Sequence, residues 1–190
     1  DGAELLENGI TYFVSVRCTD HVDHVTIATS SGLQPDLLPP AIAIDARVVY
    51  PSSGLSAEFW ASTTALDAIW GFDDFETGVK SIRAAVMPTG VTLAAEQLPL
   101  VLVDGLYPNL GAMSGVTDPR EATIDLEALA SSSNFSFEHA QDYVLWICAS
   151  DFVENWACSS YGFTFDLTPP VCEYVHDLVS AIVYNGTFSV

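Results

Sequence analysis

Val14, Val16 and Cys18 alternate with Phe13, Ser15 and Arg17, the period of two that marks a strand with one buried face. Asp20-His-Val-Asp-His24 interrupts the alternation as a polar turn, and Val25 to Leu33 returns as a second β-rich run. Pro39-Pro40 closes this hairpin, because proline has no N–H to give a ladder. Further strands are expected over residues 41–50, stopped by Pro51-Ser-Ser-Gly54, and over Thr63–Trp70, before the acidic turn Gly71–Gly78. Val79–Val86, Leu98–Val103 and Ala122–Leu129 follow, the last with a Leu-Glu-Ala-Leu stretch that also fits a helical turn. Residues 104–120, rich in Gly, Pro, Asn and Ser, read as a long loop. Phe137–Ser150 and Trp156–Phe165 then repeat the opening hairpin. About seven strands with turns at short spacing predict an all-β, antiparallel sandwich.

The repetition extends to sequence. Tyr12-Phe-Val-Ser-Val-Arg-Cys-Thr-Asp20 leads to Asp36-Leu-Leu-Pro-Pro40, and Tyr143-Val-Leu-Trp-Ile-Cys-Ala-Ser-Asp151 leads to Asp166-Leu-Thr-Pro-Pro170. This is one internal repeat with a period of about 130 residues. The two halves of the match need a one-residue shift, placed near position 24. Residues 41–170 are then one complete unit. Residues 1–40 are the closing part of a preceding unit, and 171–190 the opening part of a following one.

Hydrophobic residues make up 49% of the 190, enough for a packed core and too many for a disordered chain. Asp and Glu outnumber Lys and Arg by 25 to 5, for a net charge of −20. That sign argues against nucleic acid and anionic membrane surfaces as partners. No run of residues approaches the length of a membrane-spanning helix. Two sequons, at Asn134 and Asn185, together with four cysteines, point to an extracellular or cell-surface location.

Leu6-x-x-Gly9-x-x-Tyr12-x-Val14-x-Val16-x-Cys18 resembles the signature that leads into strand F of fibronectin type III domains. The likeness is to the divergent tandem repeats of large extracellular proteins. Trp70-Gly-Phe-Asp-Asp-Phe-Glu-Thr-Gly-Val79 is similar to the pattern between strands B and C, and the repeated Asp-Leu-x-Pro-Pro to the joint between units. The resemblance implies a fibronectin III or immunoglobulin-like sandwich with Trp70 in the core. Tyr12 and Tyr143 would be tyrosine corners, each hydroxyl bonding to backbone just upstream. His139-Ala140 stands where the second corner should have glycine. The resemblance implies architecture and no activity.

Candidate chemistry is sparse. Asp20, His21, Asp23 and His24 offer borderline metal ligands on one turn. The second copy reads Asp151-Phe-Val-Glu-Asn155, so the solvated hairpin tip is the favoured reading. Asp73, Asp74 and Glu76 gather in one turn, with Asp36 and Asp166 at the joints. Calcium can stiffen extracellular joints with such hard ligands, but no Asp-x-Asp-x-Asp-Gly loop is present and a plain acidic turn is favoured. No phosphate loop, dinucleotide fingerprint or nucleophile elbow occurs; Gly111-Ala-Met-Ser114-Gly115 fails the elbow spacing. No catalytic, cofactor-binding or metal residue is therefore expected.

A turn centred near Val153 sets Cys148 opposite Cys158, a candidate cross-strand disulfide. Cys18, in phase with Val14 and Val16, is expected to be buried. Cys18 and Cys172 are left to bond to each other, to residues outside the chain, or not at all. These features together suggest a structural or adhesive segment, a rod, spacer or filament component. Its partners would be adjacent repeats, neighbouring copies, or other extracellular proteins and glycans. The alternative is a ligand- or carbohydrate-binding module that uses the 88–120 loop.

Overall fold

The structure, a computed structural model, describes residues 6–107, 120–133 and 136–169. Strands β1 (Ser15–Thr19) and β2 (Val25–Thr29) form a hairpin that is a two-stranded sheet of its own. The remaining strands are β3 (Ala41–Val48), β4 (Phe59–Trp60), β5 (Ala65–Asp73), β6 (Val79–Pro88), β7 (Leu100–Tyr107), β8 (Arg120–Asp125), β9 (Asp142–Asp151) and β10 (Trp156–Phe165). They form a three-stranded sheet, β3-β5-β8, and a five-stranded sheet, β4-β10-β9-β6-β7. All their pairings are antiparallel except the two-residue contact of β4 with β10. The protein is mostly β, as the alternation predicts.

The core lies between the two larger sheets. β5 contributes Leu66, Ala68, Trp70 and Phe72, and β9 answers with Tyr143, Leu145, Ile147 and Ala149, all buried. Alternate residues meet because successive side chains on a strand point to opposite faces. Trp70 is in this core, as expected. Tyr143 packs with Phe137, Phe163 and Phe165 at ring-centroid distances of 5.4, 6.4 and 5.0 Å, and each such pair adds about 0.5–1.5 kcal/mol beyond area burial. A smaller cluster of Ala85, Met87, Leu98 and Cys148 covers the outer face.

Where β8 ends, Asp125 accepts the Ala128 N–H at 2.9 Å and so caps α1 (Leu126–Ser133). The helical option for Leu-Glu-Ala-Leu is the one adopted, and it buries Leu126 and Leu129.

The two hairpins share their hydrogen bonds. Tyr12 Oη accepts from the Glu7 N–H at 2.8 Å, and Tyr143 Oη from the Glu138 N–H at 3.0 Å. Asp20 Oδ1 accepts from the N–H groups of Val22 and His24, and Asp151 Oδ1 from those of Val153 and Asn155. Asn8 accepts the Leu37 N–H at one joint, and His139 accepts the Leu167 N–H at the other. Gly9 and Ala140 both take positive φ, 72° and 60°. Ala140 adopts this costly conformation without being glycine, so the corner survives the missing Gly.

Register locates the extra residue. Cys18 faces Thr26 in the first hairpin and Ala149 faces Ala157 in the second, a spacing of 131 on both strands. Beyond the strands, Tyr12 faces Leu33 while Tyr143 faces Phe163, a spacing of 131 against 130. The added residue therefore lies between Thr29 and Leu33, not near position 24. Gly32 makes room for it at φ 105°, where a Cβ would approach Thr11 Cγ2 to 3.0 Å.

The hairpins differ in cover. β1 and β2 are exposed along their whole length, and Tyr12 is half-buried where Tyr143 is buried. Cys18 is exposed, contrary to expectation. It does lie on the face of Val14 and Val16, but none of the described residues closes over that face.

Candidate functional site

Three acidic side chains from distant segments meet where the first hairpin joins the sandwich. Asp36 comes from the Asp-Leu-Leu-Pro-Pro joint, Asp74 from the β5–β6 turn and Asp151 from the end of β9. All three are buried, and their carboxylate oxygens lie within 4.8 Å of one another. Each is held by its own loop. Asp74 Oδ1 accepts from the N–H groups of Glu76, Thr77 and Gly78 at 3.0, 2.9 and 3.0 Å. Asp151 Oδ1 closes the β9–β10 tip, and its Oδ2 accepts from Asn155 Nδ2 at 2.7 Å. Asp36 Oδ2 accepts the Thr77 hydroxyl at 2.6 Å.

Asn155 and Thr77 tie the joint to the sandwich. Besides Asp151, Asn155 Nδ2 donates to the carbonyl of Leu38 at 3.2 Å and to that of Asp36 at 3.5 Å. Asn8 adds an exposed contact to Glu76 Oε1 at 3.1 Å. Hydrogen bonds to ionised carboxylates are shorter and stronger than neutral ones, so these donors offset part of the repulsion among like charges. The chemistry is that of hard oxygen donors. Two ligands of one calcium ion, each about 2.4 Å from it, can stand no more than ~4.8 Å apart, so the spacing admits a single shared ion. Titrating calcium against the native chain and Asp74→Asn reads whether one binds. Equal responses would assign the heat to the acidic surface at large.

Of the turn carboxylates singled out from sequence, the structure brings Asp74 to Asp36. Glu76 faces Asn8 instead, and Asp73 is buried beside the turn. Asp166 stands at the far joint, exposed, with His139 Nδ1 at 3.5 Å. Its pKa is lowered, first by the Thr168 hydroxyl and then by the Thr168 N–H, with His139 adding a smaller part. Asp151 went unremarked as a ligand because the meeting is tertiary. The available signal was that aspartate recurs at both tips while the histidines do not.

The histidine turn is a solvated tip. His24 Nδ1 lies 3.0 Å from Asp20 Oδ2, on exposed side chains. The Asp20 pKa is lowered chiefly by the His24 and Val22 N–H groups. Cys148 and Cys158 form a disulfide across β9–β10, with Cα atoms 4.0 Å apart. Cys172, Asn134 and Asn185 lie outside the described residues. So do residues 108–119 of the 88–120 loop. Two open pockets, of about 350 and 480 Å³, are lined around Tyr50 and Glu121 and around Ala43 and Tyr161, and neither draws on residues 88–107. Among the described residues no helix is long and apolar enough to cross a membrane. No protein-family model, curated protein or solved structure matches the chain.

Proposed function

We propose that the chain is a segment of an extracellular structural or adhesive protein, built from tandem fibronectin III-like sandwiches that act as a rod, spacer or filament component. The observation that carries this reading is the shared hydrogen-bond scheme of the two hairpins, from tyrosine corner to tip to joint. Repeated units in series, linked by a hydrogen-bonded joint in which Asp36 is buried, suit transmission of force or spacing better than catalysis. Strand order adds support. With β3, β5 and β8 taken as A, B and E, and β10, β9 and β6 as G, F and C, the strand order is compatible with an immunoglobulin-type division. The disulfide fits an oxidising exterior, and the acidic surface fits a chain kept from clumping by repulsion. The partners on this reading are adjacent repeats or neighbouring copies. The alternative is ligand capture by the 88–120 loop.

Pulling single molecules from both ends tests the reading. A mechanical spacer should lose the sandwich in one cooperative step, with the exposed hairpin yielding separately at lower force. Reduction should lengthen the sandwich step by about 35 Å, since the disulfide shields a separation of 10 residues at about 3.5 Å each. Gradual extension without a step would contradict a load-transmitting role.

A further inference from the structure

We infer that the second joint is a pH-operated latch, in which the His139 ring holds the Leu167 N–H while neutral and turns to the Asp166 carboxylate once protonated. The inference starts from the equivalence of the two joints but uses neither the rod-like role nor any residue beyond Pro169. Its failure would leave the pulling experiment unaffected.

The two joints are built alike and differ in one acceptor. At the first, Asn8 Oδ1 accepts the Leu37 N–H at 2.6 Å; at the second, His139 Nδ1 accepts the Leu167 N–H at 3.1 Å. An amide oxygen keeps its lone pairs across the physiological pH range. An imidazole nitrogen accepts only while it carries no proton, and histidine changes charge between about pH 5 and 8. With Nδ1 accepting, the neutral ring carries its proton on Nε2. Protonation of Nδ1 sets N–H against N–H and breaks the bond. The new proton has an acceptor at hand, since Asp166 Oδ1 lies 3.5 Å from the same nitrogen. Asp166 is ionised throughout that range, because the Thr168 hydroxyl, and then the Thr168 N–H, lower its pKa.

The backbone around the latch holds still while the ring changes partner. The Ala140 N–H donates to the Phe165 carbonyl at 2.7 Å, the Phe165 N–H to the Gln141 carbonyl at 3.2 Å, and the Asp166 N–H to the Trp60 carbonyl at 3.0 Å. Past Asp166 the acceptors are side chains, with His139 taking the Leu167 N–H and Asp166 that of Thr168. Protonation therefore frees the chain from Leu167 onward without opening β9–β10. His139 and Asp166 are both solvated, so their ion pair is weak. Loss of the acceptor, rather than gain of the carboxylate, drives the release. The other charged groups on the segments around the ring are Glu138, Glu58 and Asp142, the last accepting the Thr164 hydroxyl at 2.6 Å. All are acids, so none opposes charging of the ring.

NMR of the full chain, taken from about pH 8 to about pH 5, tests the latch. At the upper end His139 Nδ1 should show the nitrogen-15 shift of an unprotonated acceptor, and Nε2 that of a protonated nitrogen. On acidification the Leu167 amide should lose exchange protection, corrected for the intrinsic pH dependence, with an inflection shared with the His139 ring protons. Leu37, held by Asn8, is the internal control and should keep its protection. His139→Asn copies the first joint and should hold Leu167 at both ends of the range. Asp166→Asn should keep the inflection, since the ring alone drives the loss. A proton on Nδ1 at the upper end would overturn the inference, as would a Leu167 amide that does not follow the ring. So would a response that persists in His139→Asn, or one that disappears in Asp166→Asn and thereby belongs to the carboxylate.

Discussion

Removing one hydroxyl should distinguish the two tyrosine corners. Tyr143 is 2% exposed. Its hydroxyl accepts the Glu138 N–H at 3.0 Å and donates to the Ser136 carbonyl at 3.4 Å. Tyr143→Phe keeps the ring against Phe137, Phe163 and Phe165, so little cavity cost enters. It leaves a part-buried N–H without its acceptor, which costs about 1–3 kcal/mol. At Tyr12 the same bond is exposed, water replaces the lost acceptor, and Tyr12→Phe should cost under about 0.5 kcal/mol. All four tryptophans, at 60, 70, 146 and 156, lie outside the first hairpin, so fluorescence in urea reports the sandwich. With a slope near 2 kcal/mol per molar, Tyr143→Phe should lower the midpoint by roughly 1 M at unchanged slope. Tyr12→Phe should leave it within error. Equal shifts, or no shift for Tyr143→Phe, would refute the account of that corner.

Replacing Cys148 and Cys158 together by serine should destabilise the sandwich by roughly 2–3 kcal/mol in the chain-entropy treatment of a short loop, read by the same urea titration. Asp151→Ala strips the acceptor from the N–H groups of Val153 and Asn155. It should cost roughly 2–3 kcal/mol, while Asp151→Asn, which keeps a carbonyl oxygen, should recover more than half. Because the folded state lowers the Asp20 pKa below 3.8, its contribution to the tip is present above that pH and is lost as pH falls through the folded value. The Asp20 carboxyl followed by NMR should titrate below 3.8. A midpoint at or above it would deny the two N–H bonds at the tip.

Much of the sandwich was legible because its strands are apolar runs bounded by turn residues, as β9 is between Asp142 and Asp151. β9 carries Tyr143, Leu145, Ile147 and Ala149 inward in step, and the turn centred near Val153 set Cys148 opposite Cys158. β4 was not legible, since two residues, Phe59 and Trp60, have no period and pair only through β10. The burial expected for Cys18 failed for a related reason: phase tells which face a side chain shares, not whether anything covers that face. The extra residue between Thr29 and Leu33 was hidden by the identities themselves, because a spacing of 130 matches Ser30 to Ser160 and Gly32 to Gly162 and so draws the gap upstream. The acidic cluster is legible only in part. Asp36 and Asp74 draw notice by local density, but their meeting with Asp151 depends on the ends of β5, β9 and the joint converging.

The central claim is that the first hairpin is a second copy of β9–β10 in a defined register, and moving the disulfide tests it most directly. Arg17 faces Ile27 as Cys148 faces Cys158. The double variant Arg17→Cys with Ile27→Cys, made with Cys18→Ser and Cys172→Ser, should oxidise to an internal bond found by mass mapping. Ala28→Cys beside the native Cys18, the pair that an ungapped match at the cysteines would select, should not. Bonding in the second variant and not the first would contradict the account.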